Sequence, residues 1–543
     1  MTLSRREVLS WLVGAPLAAQ ACKRYRGRRV PGVVRGGSMA VGHRLRDLRP
    51  VPSAGPPRRL PVAIVGAGVS GLSAAWRLRR AGLGSPIVFE LEAQPGGTAT
   101  YGTDGVAPYP WGAHYLPVPQ AENRALVTLL EEMGVVRVGS DGSPQAAELG
   151  LVRAPEERLF YEGQWHEGLF PSGLGTAADH EQLRKFQREV DRWVAYRDRE
   201  GRRAFTIPLR RCSRDPEVTR LDRESAAVWL DRHELRSPVL RWFVEYACRD
   251  DYGTKLDTTS AWAMLFYFAA RVPEPGAESA PFLTWPEGNG HLVAHLARTA
   301  GKRLVTGKIV SDVRPDREWV ELTAYDTRTG APSLYRVDHV ILAVPRFVAG
   351  RLLASWRLRP PGFIRSFTYA PWLVATLHLR RRPQSPGFPL AWDNVLYDSP
   401  ALGYVVATHQ ELSDYGPTIW TYYQALTDPD PNRARHQLAL LDHGTICDAI
   451  FTDLSRAHDG LEEAVQRIDV WKWGHAMVRP TPGFIWGLAR RVAGTSLGRV
   501  HFAHSDLSGL PLFEEAFDHG VRAAETVLEK LGYRVTPLSG SAE

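Results

Sequence analysis

Three glycines and one glutamate have the spacing of a dinucleotide-binding motif. Gly66, Gly68 and Gly71 form the pattern Gly-x-Gly-x-x-Gly, and Glu90 follows about twenty residues later, where a ribose-binding acid is expected. Such a turn brings backbone N–H groups to a pyrophosphate at the start of a helix, while the carboxylate binds ribose hydroxyls. The alternative is an ordinary glycine-rich turn between a strand and a helix. The residues predicted to hold the dinucleotide are Gly66, Gly68, Val69, Ser70, Gly71 and Glu90.

The segments around this motif have the patterns needed to position it. Residues 62–65 are a short apolar run rich in β-branched side chains, which is typical of a buried strand. Apolar residues with helical spacing begin at Leu72, and Gly82 supplies a helix stop. A second apolar run, residues 87–89, leads directly into Glu90. The sequence therefore predicts a strand, a turn, a helix and a second strand in direct succession.

A second glycine motif narrows the choice of dinucleotide. Gly96 and Gly97, followed by Thr98, and the turn Trp111–Tyr115 resemble the flavin-containing amine oxidase and phytoene desaturase superfamily. Thr98 stands where amine oxidases commonly have arginine. The resemblance implies non-covalently bound FAD rather than a nicotinamide dinucleotide, because a nicotinamide dehydrogenase does not need this second turn. The further cofactor contacts that it implies are Gly96, Gly97, Thr98, Gly112, Ala113 and His114.

Two segments farther along the chain resemble other FAD-binding parts of the superfamily. Asp506 matches an acid that bonds the ribityl and phosphate region, and a helix starting near Phe513 would direct its amides at the flavin ring. Val310 matches a residue whose backbone meets the adenine. His504 and Glu515 each stand where the family usually has glycine. The alternative for the last segment is an ordinary amphipathic helix. The contacts implied here are Val310, Asp506, Phe513 and Ala516.

The separation of these segments implies how the domains are organised. The resemblance implies an α/β fold in which a Rossmann-like FAD-binding domain is assembled from separated segments, with an inserted α+β substrate domain. Gly520, inside the last helix, predicts that another backbone packs closely against it, since an interior glycine otherwise weakens a helix. The predicted FAD-binding segments are 60–130, 282–346 and 465–535, and the predicted substrate-domain segments are 131–281 and 347–464.

The catalytic groups are less clearly marked than the cofactor site. Amine oxidases of the superfamily often have a lysine near the flavin, but the stretch after Pro345 contains arginines and no lysine. Lys472, between Trp471 and Trp473, could substitute for it, although a tryptophan pair in a strand can equally be core. His114 could act as acid, base or hydrogen-bonding support.

The sequence assigns no single role to the remaining residues that could take part in chemistry. The adjacent acids Asp250 and Asp251 suit recognition of a cation, but they could equally cap the following helix. No metal-ligand spacing appears. The four cysteines show neither metal spacing nor a paired framework, so disulfides are not expected to be the main source of stability.

These features predict an exported FAD-dependent oxidoreductase that transfers hydride from a small organic substrate, with an amine as the first candidate. The missing lysine keeps a flavin-dependent desaturase or isomerase as an alternative within the same fold. A flavin-binding protein without turnover is the alternative from a different class.

The charge distribution separates the ends of the chain from its body. Residues 1–60 contain 13 Lys or Arg and two acids, whereas the remaining 483 residues have a balance of −3. The folded body is therefore not expected to bind nucleic acid. The basic excess belongs to a leader, residues 1–22, and to a linker rich in Arg, Gly and Pro, residues 23–59, which is expected to bury no core.

The leader resembles an export signal. Ser4–Leu9 contains the adjacent arginines of a twin-arginine signal, and a moderately apolar stretch too short to span a bilayer follows it. Ala19–Cys22 resembles a lipoprotein cleavage box. The sequence thus predicts the twin-arginine machinery as a partner, a periplasmic or cell-envelope location, and membrane anchoring through lipidated Cys22. Cleavage without lipidation and a plain basic tail are the alternatives.

Overall fold

The computed structural model describes residues 30–46, 55–84, 86–411 and 413–539. The predicted signal, residues 1–22, lies outside the described residues, as does part of the predicted linker. No helix in the described ranges is both long enough and apolar enough to cross a membrane.

The described residues form two large sheets, three small ones and a set of helices. The strands are β1 (Val34–Gly36), β2 (Arg58–Val65), β3 (Ile87–Phe89), β4 (Tyr101–Gly102), β5 (Tyr109–Pro110), β6 (Leu116–Pro117), β7 (Val136–Val138), β8 (Pro144–Ala146), β9 (Glu157–Tyr161), β10 (Gln164–Glu167), β11 (Phe282–Leu283), β12 (Leu304–Val305), β13 (Lys308–Pro315), β14 (Val320–Asp326), β15 (Pro332–Leu342), β16 (Tyr369–Leu379), β17 (Asp393–Leu396), β18 (Tyr404–Val406), β19 (Thr418–Ala425), β20 (Val465–Val478) and β21 (Val500–Phe502). The helices are α1 (Met39–Gly42), α2 (Val69–Arg80), α3 (Arg124–Glu132), α4 (Ala177–Ala195), α5 (Pro216–Thr219), α6 (Ala226–Arg232), α7 (Pro238–Tyr252), α8 (Ala261–Ala269), α9 (Gly290–Ala300), α10 (Arg346–Leu352), α11 (Ala354–Leu358), α12 (Pro431–Leu440), α13 (His443–Leu454), α14 (Leu461–Ala464), α15 (Leu488–Ala493) and α16 (Phe513–Lys530).

One large sheet is the predicted nucleotide-binding scaffold. Its strand order is β12-β3-β2-β15-β14-β13, and β21 also pairs with β15. The pairs from β12 through β15, and the pair with β21, are parallel, whereas β13 and β14 form an antiparallel hairpin. Helices α2, α9 and α16 pack together on a hydrophobic cluster beside this sheet. The predicted architecture, a Rossmann-like domain assembled from separated segments, is confirmed.

The other large sheet forms the inserted domain. Its order is β1-β20-β16-β19-β18-β17-β9-β10, and most of its neighbours are antiparallel. Apolar residues from α12, α13 and α14 cover one face, and a cluster rich in aromatic side chains lies on the other. Helices α4, α6, α7 and α8 form a separate helical core. The cavity described below lies between the aromatic face and the nucleotide-binding sheet.

Two predicted boundaries are wrong. Strand β20 belongs to the sheet of the inserted domain, so the segment 465–535 rejoins the nucleotide-binding sheet only at β21. Strand β1 lies within the predicted linker 23–59 and pairs with β20 in parallel, and its neighbour Val30 is buried. The sequence could not reveal either pairing because each depends on partners far apart along the chain.

The residues Val30–Arg46 form what we call the N-terminal strap, which crosses from one sheet to the other. The N–H of Val470 donates to the Val33 carbonyl at 2.8 Å. Beyond β1, the Ser38 backbone N–H and hydroxyl donate to the two carboxylate oxygens of Glu92 at 2.7 and 2.6 Å. Leu45 then packs on the hydrophobic cluster of the nucleotide-binding sheet. The strap thus connects the edge of the inserted domain to the segment that follows Glu90.

Candidate active site

The first glycine turn has the close backbone approaches that its sequence predicts. Gly66 has φ +98°, and a Cβ there would lie 2.4 Å from the Ala343 carbonyl oxygen. A Cβ on Gly71 would lie 1.9 Å from the Gly66 carbonyl oxygen. Helix α2 begins at Val69, so its first backbone N–H groups lack partners within the helix and are available to an anion.

Glu90 lies beside this turn at the end of β3. One of its oxygens accepts from the Ala67 N–H at 2.7 Å, and the other accepts from the Glu92 N–H at 2.9 Å. Burial raises the pKa of the carboxyl group, and these two hydrogen bonds oppose the rise. Each carboxylate oxygen keeps a further lone pair, so the group can also accept from ribose hydroxyls.

The second glycine motif lies opposite the first glycine turn. Gly96 donates to the Ala67 carbonyl at 2.9 Å, and Gly68 forms a bridge with Gly96. A Cβ on Gly97 would lie 3.5 Å from the Gly68 Cα, so a side chain there would fill the gap between the two turns. Glycines at both sides of the gap, helix amides at one end and a carboxylate at the other fit a dinucleotide. The residues of the turns therefore fit the predicted cofactor.

Thr98 connects these turns to a large cavity between the two sheets. The Ala113 N–H donates to the Thr98 carbonyl at 3.1 Å, and a Cβ on Gly112 would lie 2.3 Å from the same oxygen. The cavity has about 850 Å³ of empty space, including its open mouth. Its walls are Thr98 and the turn at Gly112, the start of α16, aromatic side chains of the inserted domain and a charged group: Thr98, Gly112, Ala113, His114, Tyr115, Pro117, Asp250, Asp251, Arg271, Asn289, Trp372, Val374, Tyr423, Trp473, Ala476, Met477, Pro511, Leu512, Phe513 and Glu514.

His114 is the only predicted catalytic residue that lines this cavity. Its Nδ1–H donates to the Gly112 carbonyl at 3.0 Å, because a carbonyl oxygen can only accept. Its ring lies among those of Tyr115, Trp392 and Tyr423. Burial lowers the pKa of the imidazole to about 4, so the ring is neutral near pH 7.

Lys472, the other predicted catalytic residue, does not reach the cavity, and this prediction is corrected. Alternation along β20 directs Trp473 into the cavity and Lys472 to the opposite face of the sheet. There the Lys472 ammonium donates to the carbonyl oxygens of Leu441 and Ala439, at the end of α12. No lysine lines the cavity within the described residues. The arginine after Pro345 is no substitute, because the buried Arg346 side chain donates to the Ala493 carbonyl and lies over Phe502.

The C-terminal contacts divide into those at the cavity and those away from it. Phe513 starts α16 at the cavity wall, while Ala516 lies one turn farther along and does not line the wall. The Asp506 carboxylate is buried and accepts from the Arg346 N–H at 2.8 Å and the Tyr369 hydroxyl at 2.5 Å. It also pairs with His504 at 2.9 Å. Both hydrogen bonds go to Oδ2, whereas Oδ1 has no hydrogen-bond partner in the described residues, so the contact of Asp506 with the cofactor stays a prediction.

The remaining residues that the sequence singled out are Val310 and the two acids of α7. Val310 is buried in β13 beside a register shift, and its contact with adenine stays a prediction. Asp250 and Asp251 occupy the last turn of α7 and line the cavity, whereas Ser260 caps the next helix. The expectation that these acids cap that helix is therefore wrong.

Several cavity residues were not predicted from the sequence. Arg271, Trp372 and Tyr423 come from the segments without a family resemblance, and only the folding of two sheets brings them together. Asn289 had a local signal, since it stands between two glycines at the start of α9. Glu514 had one as well, because it lies in the first turn of the helix predicted to face the flavin. No group of three or more metal-ligating side chains occurs in the ranges that the structure describes.

Comparison with known proteins supports the same assignment. The sequence model of the family described as flavin containing amine oxidoreductase matches residues 69–528. Among solved structures, a double mutant of putrescine oxidase is 18% identical with a TM-score of 0.64, and the match covers 87% of this chain and 100% of that one. Cyclohexylamine oxidase from Brevibacterium oxydans IH-35A is 15% identical with a TM-score of 0.61, and the match covers 87% and 99% of the two chains. No curated protein matches the sequence.

Proposed function

Because the chain belongs to the family of flavin-containing amine oxidoreductases, we propose that this flavin enzyme oxidises a small organic amine. The observation that carries the proposal is the cavity, in which Thr98, just after the second glycine motif, and the turn at Gly112 face aromatic and acidic side chains of the inserted domain. Aromatic faces and carboxylates together suit a cationic nitrogen. Bound flavin supplies the acceptor for hydride, and the protein supplies binding, orientation and exclusion of water.

The roles of the residues follow from their positions. The first amides of α2 and the Glu90 carboxylate hold the dinucleotide, and Thr98 and Gly112 form the wall between it and the cavity. Trp473 donates its indole N–H to the Trp111 carbonyl, which fixes the ring at the wall of the cavity. None of the cysteines in the described residues lines the cavity, and this supports dissociable FAD.

The proposal is tested by adding primary, secondary and tertiary amines to the purified yellow protein without oxygen. Loss of the yellow colour with an amine is the expected result. A protein that stays yellow with every amine contradicts amine oxidation and favours the desaturase, isomerase or non-catalytic alternatives. A colourless protein that takes up no FAD would overturn the flavin assignment as well.

Replacement of Glu90 tests the dinucleotide site itself. Glu90→Gln removes the charged acceptor for the ribose but keeps the size of the side chain, so we expect FAD affinity to fall about tenfold. Glu92→Gln is the matched control, because that nearby acid bonds Ser38 of the strap. The measurement is the FAD content after dialysis and the Kd for re-added FAD. Equal affinities in the two variants would contradict the role of Glu90.

We also propose that the enzyme is exported by the twin-arginine route and anchored through Cys22. The support is the leader sequence, with Arg5 and Arg6 ahead of a moderately apolar stretch. Replacement of both arginines by lysine should retain the flavoprotein in the cytoplasm. Cys22→Ala should release it from the membrane fraction. Export of the lysine variant at the normal level would contradict the route, and membrane retention of the Cys22 variant would contradict the anchor.

A further inference from the structure

The inner part of the cavity carries more negative than positive charge. Asp250, Asp251 and Glu514 line it, whereas Arg271 is its only lining cation in the described residues. Arg271 is already used by Asp251, which it meets at 3.1 Å, and Tyr115 donates to Asp251 at 3.3 Å. No cationic side chain lies within ion-pairing distance of Asp250 in the part of the chain that the structure describes. Asp250 and Glu514 therefore both line this wall without an ion-pair partner among the described residues, but Glu514 lies in the first turn of α16, where the helix dipole favours negative charge.

The position of Asp250 in its own helix further disfavours the ionised form of its carboxyl group. Asp250 lies in the last turn of α7, where the helix dipole disfavours negative charge. Burial first, and then the charge of Asp251, raise the pKa of Asp250 to about 7. The charge of Arg271 and a hydrogen bond from Tyr115 oppose this rise in pKa, and Arg249, whose guanidinium bonds the Pro400 and Ala401 carbonyls, opposes it less.

The elements packed against α7 add further charge of the same sign. Asp393, on β17, accepts from the hydroxyls of Tyr246 and Tyr423, and its pKa is raised by burial, by Asp250 and by Glu157. Burial and Glu156 raise the pKa of Glu157 to about 7. The other titratable groups that face this region are Tyr115, Tyr267, Arg271 and Glu514. A cation bound at Asp250 would relieve a repulsion that the protein itself leaves uncompensated.

Two unpartnered polar atoms on the same walls also indicate a ligand. Asn289 is 1% exposed, and its amide nitrogen bonds the Tyr115 carbonyl, while its Oδ1 has no partner. Trp372 is 7% exposed, and its indole N–H has no hydrogen-bond partner. This N–H lies beside Gly253, the residue that follows α7. Buried polar atoms are normally bonded, so Asn289 Oδ1 calls for a donor that enters the cavity, and the Trp372 indole N–H calls for a separate acceptor. An oxygen acceptor and aromatic rings next to a carboxylate form a set suited to an ammonium group.

We propose that Asp250 binds the ammonium group of the substrate and removes one of its protons. The step breaks one N–H bond of the ammonium and forms one O–H bond on the Asp250 carboxylate, which leaves a neutral amine and a neutral carboxyl group. The nitrogen lone pair that this step frees is what makes the neighbouring C–H bond a hydride donor. Asp251 is a positioning residue, because it engages the Arg271 guanidinium directly. The inference rests on the proposed oxidation of amines.

Binding of a cation that cannot be oxidised tests the first half of the proposal. tert-Butylammonium chloride is suitable, since the carbon attached to its nitrogen bears no hydrogen. Calorimetry on the FAD-loaded protein should show that Asp250→Asn weakens Kd about 30-fold. Asp257→Asn is the matched control, because Asp257 is exposed just beyond α7 and its loss changes the net charge equally. Equal losses of affinity in both variants would overturn the proposal.

The pH profile tests the second half. In the wild type, kcat/KM should rise through pH 7, because the carboxylate is the active form of the base. Asp250→Asn should lose this rise, the acidic limb of the pH profile. Asp250→Glu, which keeps a carboxylate, should restore it. FAD content and circular dichroism check that each variant is folded. A limb that persists in Asp250→Asn overturns the role of Asp250 while amine oxidation stands. A wild type that binds the cation but is reduced by no amine overturns the proposed function instead.

Discussion

Burial determines which side chains around the cavity can change charge near neutral pH. His114 is held neutral, because burial lowers its pKa to about 4, so it cannot donate a proton at pH 7. Asp250 has a pKa of about 7 for the same physical reason acting on an acid, since burial disfavours whichever form is charged. Of the three roles that the sequence left open for His114, acid, base and hydrogen-bonding support, the bond to Gly112 and the low pKa favour support.

At Glu515, the effect of burial on a pKa can be tested by measuring stability instead of catalysis. It accepts from the Leu209 N–H at 2.6 Å and from the Ser508 hydroxyl, and burial raises its pKa to about 7. The folded state therefore holds this proton more tightly than the unfolded state. The stability that the proton contributes is present below about pH 4.5 and is lost as the pH rises through 7.

We expect Glu515→Gln to remove this loss. Between pH 4.5 and 7, the unfolding free energy of the wild type should fall relative to the variant by about 3 kcal/mol. Urea unfolding across this pH range provides the measurement. Glu529→Gln, at an exposed position of the same helix, is the matched control for the loss of a carboxylate from α16. A flat difference for Glu515→Gln would contradict the raised pKa.

At the scale of elements, α16 and α2 are in close contact at a glycine. A Cβ on Gly520 would lie 2.0 Å from the Ser73 hydroxyl oxygen and 2.2 Å from the Ser70 carbonyl oxygen. The expected close backbone packing at Gly520 is thus present. The contact fixes the last helix against the helix that follows the first glycine turn, so both helix starts keep their places at the dinucleotide and the cavity.

Gly520→Ala should therefore destabilise the protein, although alanine is the better helix former. Alanine gains about 1 kcal/mol in a helix interior, but overpacking against a backbone carbonyl costs about 1–3 kcal/mol or more. We expect a net loss of about 2 kcal/mol in denaturant unfolding. Gly444→Ala in α13 is the control, since a Cβ there meets only the Asp442 side chain, at 3.6 Å, and should be neutral or stabilising. Stabilisation at position 520 would refute the packing argument.

The elements that the sequence predicted are those whose interactions are local. The strand, glycine turn and helix around Gly66 require only neighbouring residues, and they formed as expected. Strand alternation explains why Lys472 lies on the face opposite Trp473, but no local pattern reveals which face looks onto the cavity. Asp250 was recognised as a possible cation site, yet its choice over a helix cap depended on packing between distant segments.

At the scale of the whole molecule, the strap contributes to the stability of both sheets. It completes the edge of the inserted domain at β20 and bonds Glu92 beside the nucleotide-binding sheet. Its position could not be predicted, because parallel pairing of β1 with β20 has no signature in the basic, glycine-rich sequence around it. The donor and acceptor of the Val33–Asp469 hydrogen bond are 436 residues apart.

Removal of residues 1–46 should destabilise the protein more than removal of residues 1–29, which keeps the strap. Loss of the buried Val30 and of the hydrogen bonds to β20 should cost about 3 kcal/mol. It also exposes the edge of β20, so the shorter protein should aggregate on mild heating. Denaturant unfolding and light scattering measure the two effects. Equal stability of the two truncated proteins would show that the strap is only loosely attached.

The separation between the strap and its partners also sets an order of events during synthesis. The strap leaves the ribosome first, but β20 emerges only after most of the chain has been translated. Ser38 can bond Glu92, 54 residues away, well before β20 exists. The two ends of the strap therefore find their partners at different times, and the pairing of β1 with β20 cannot precede the synthesis of residues 465–478.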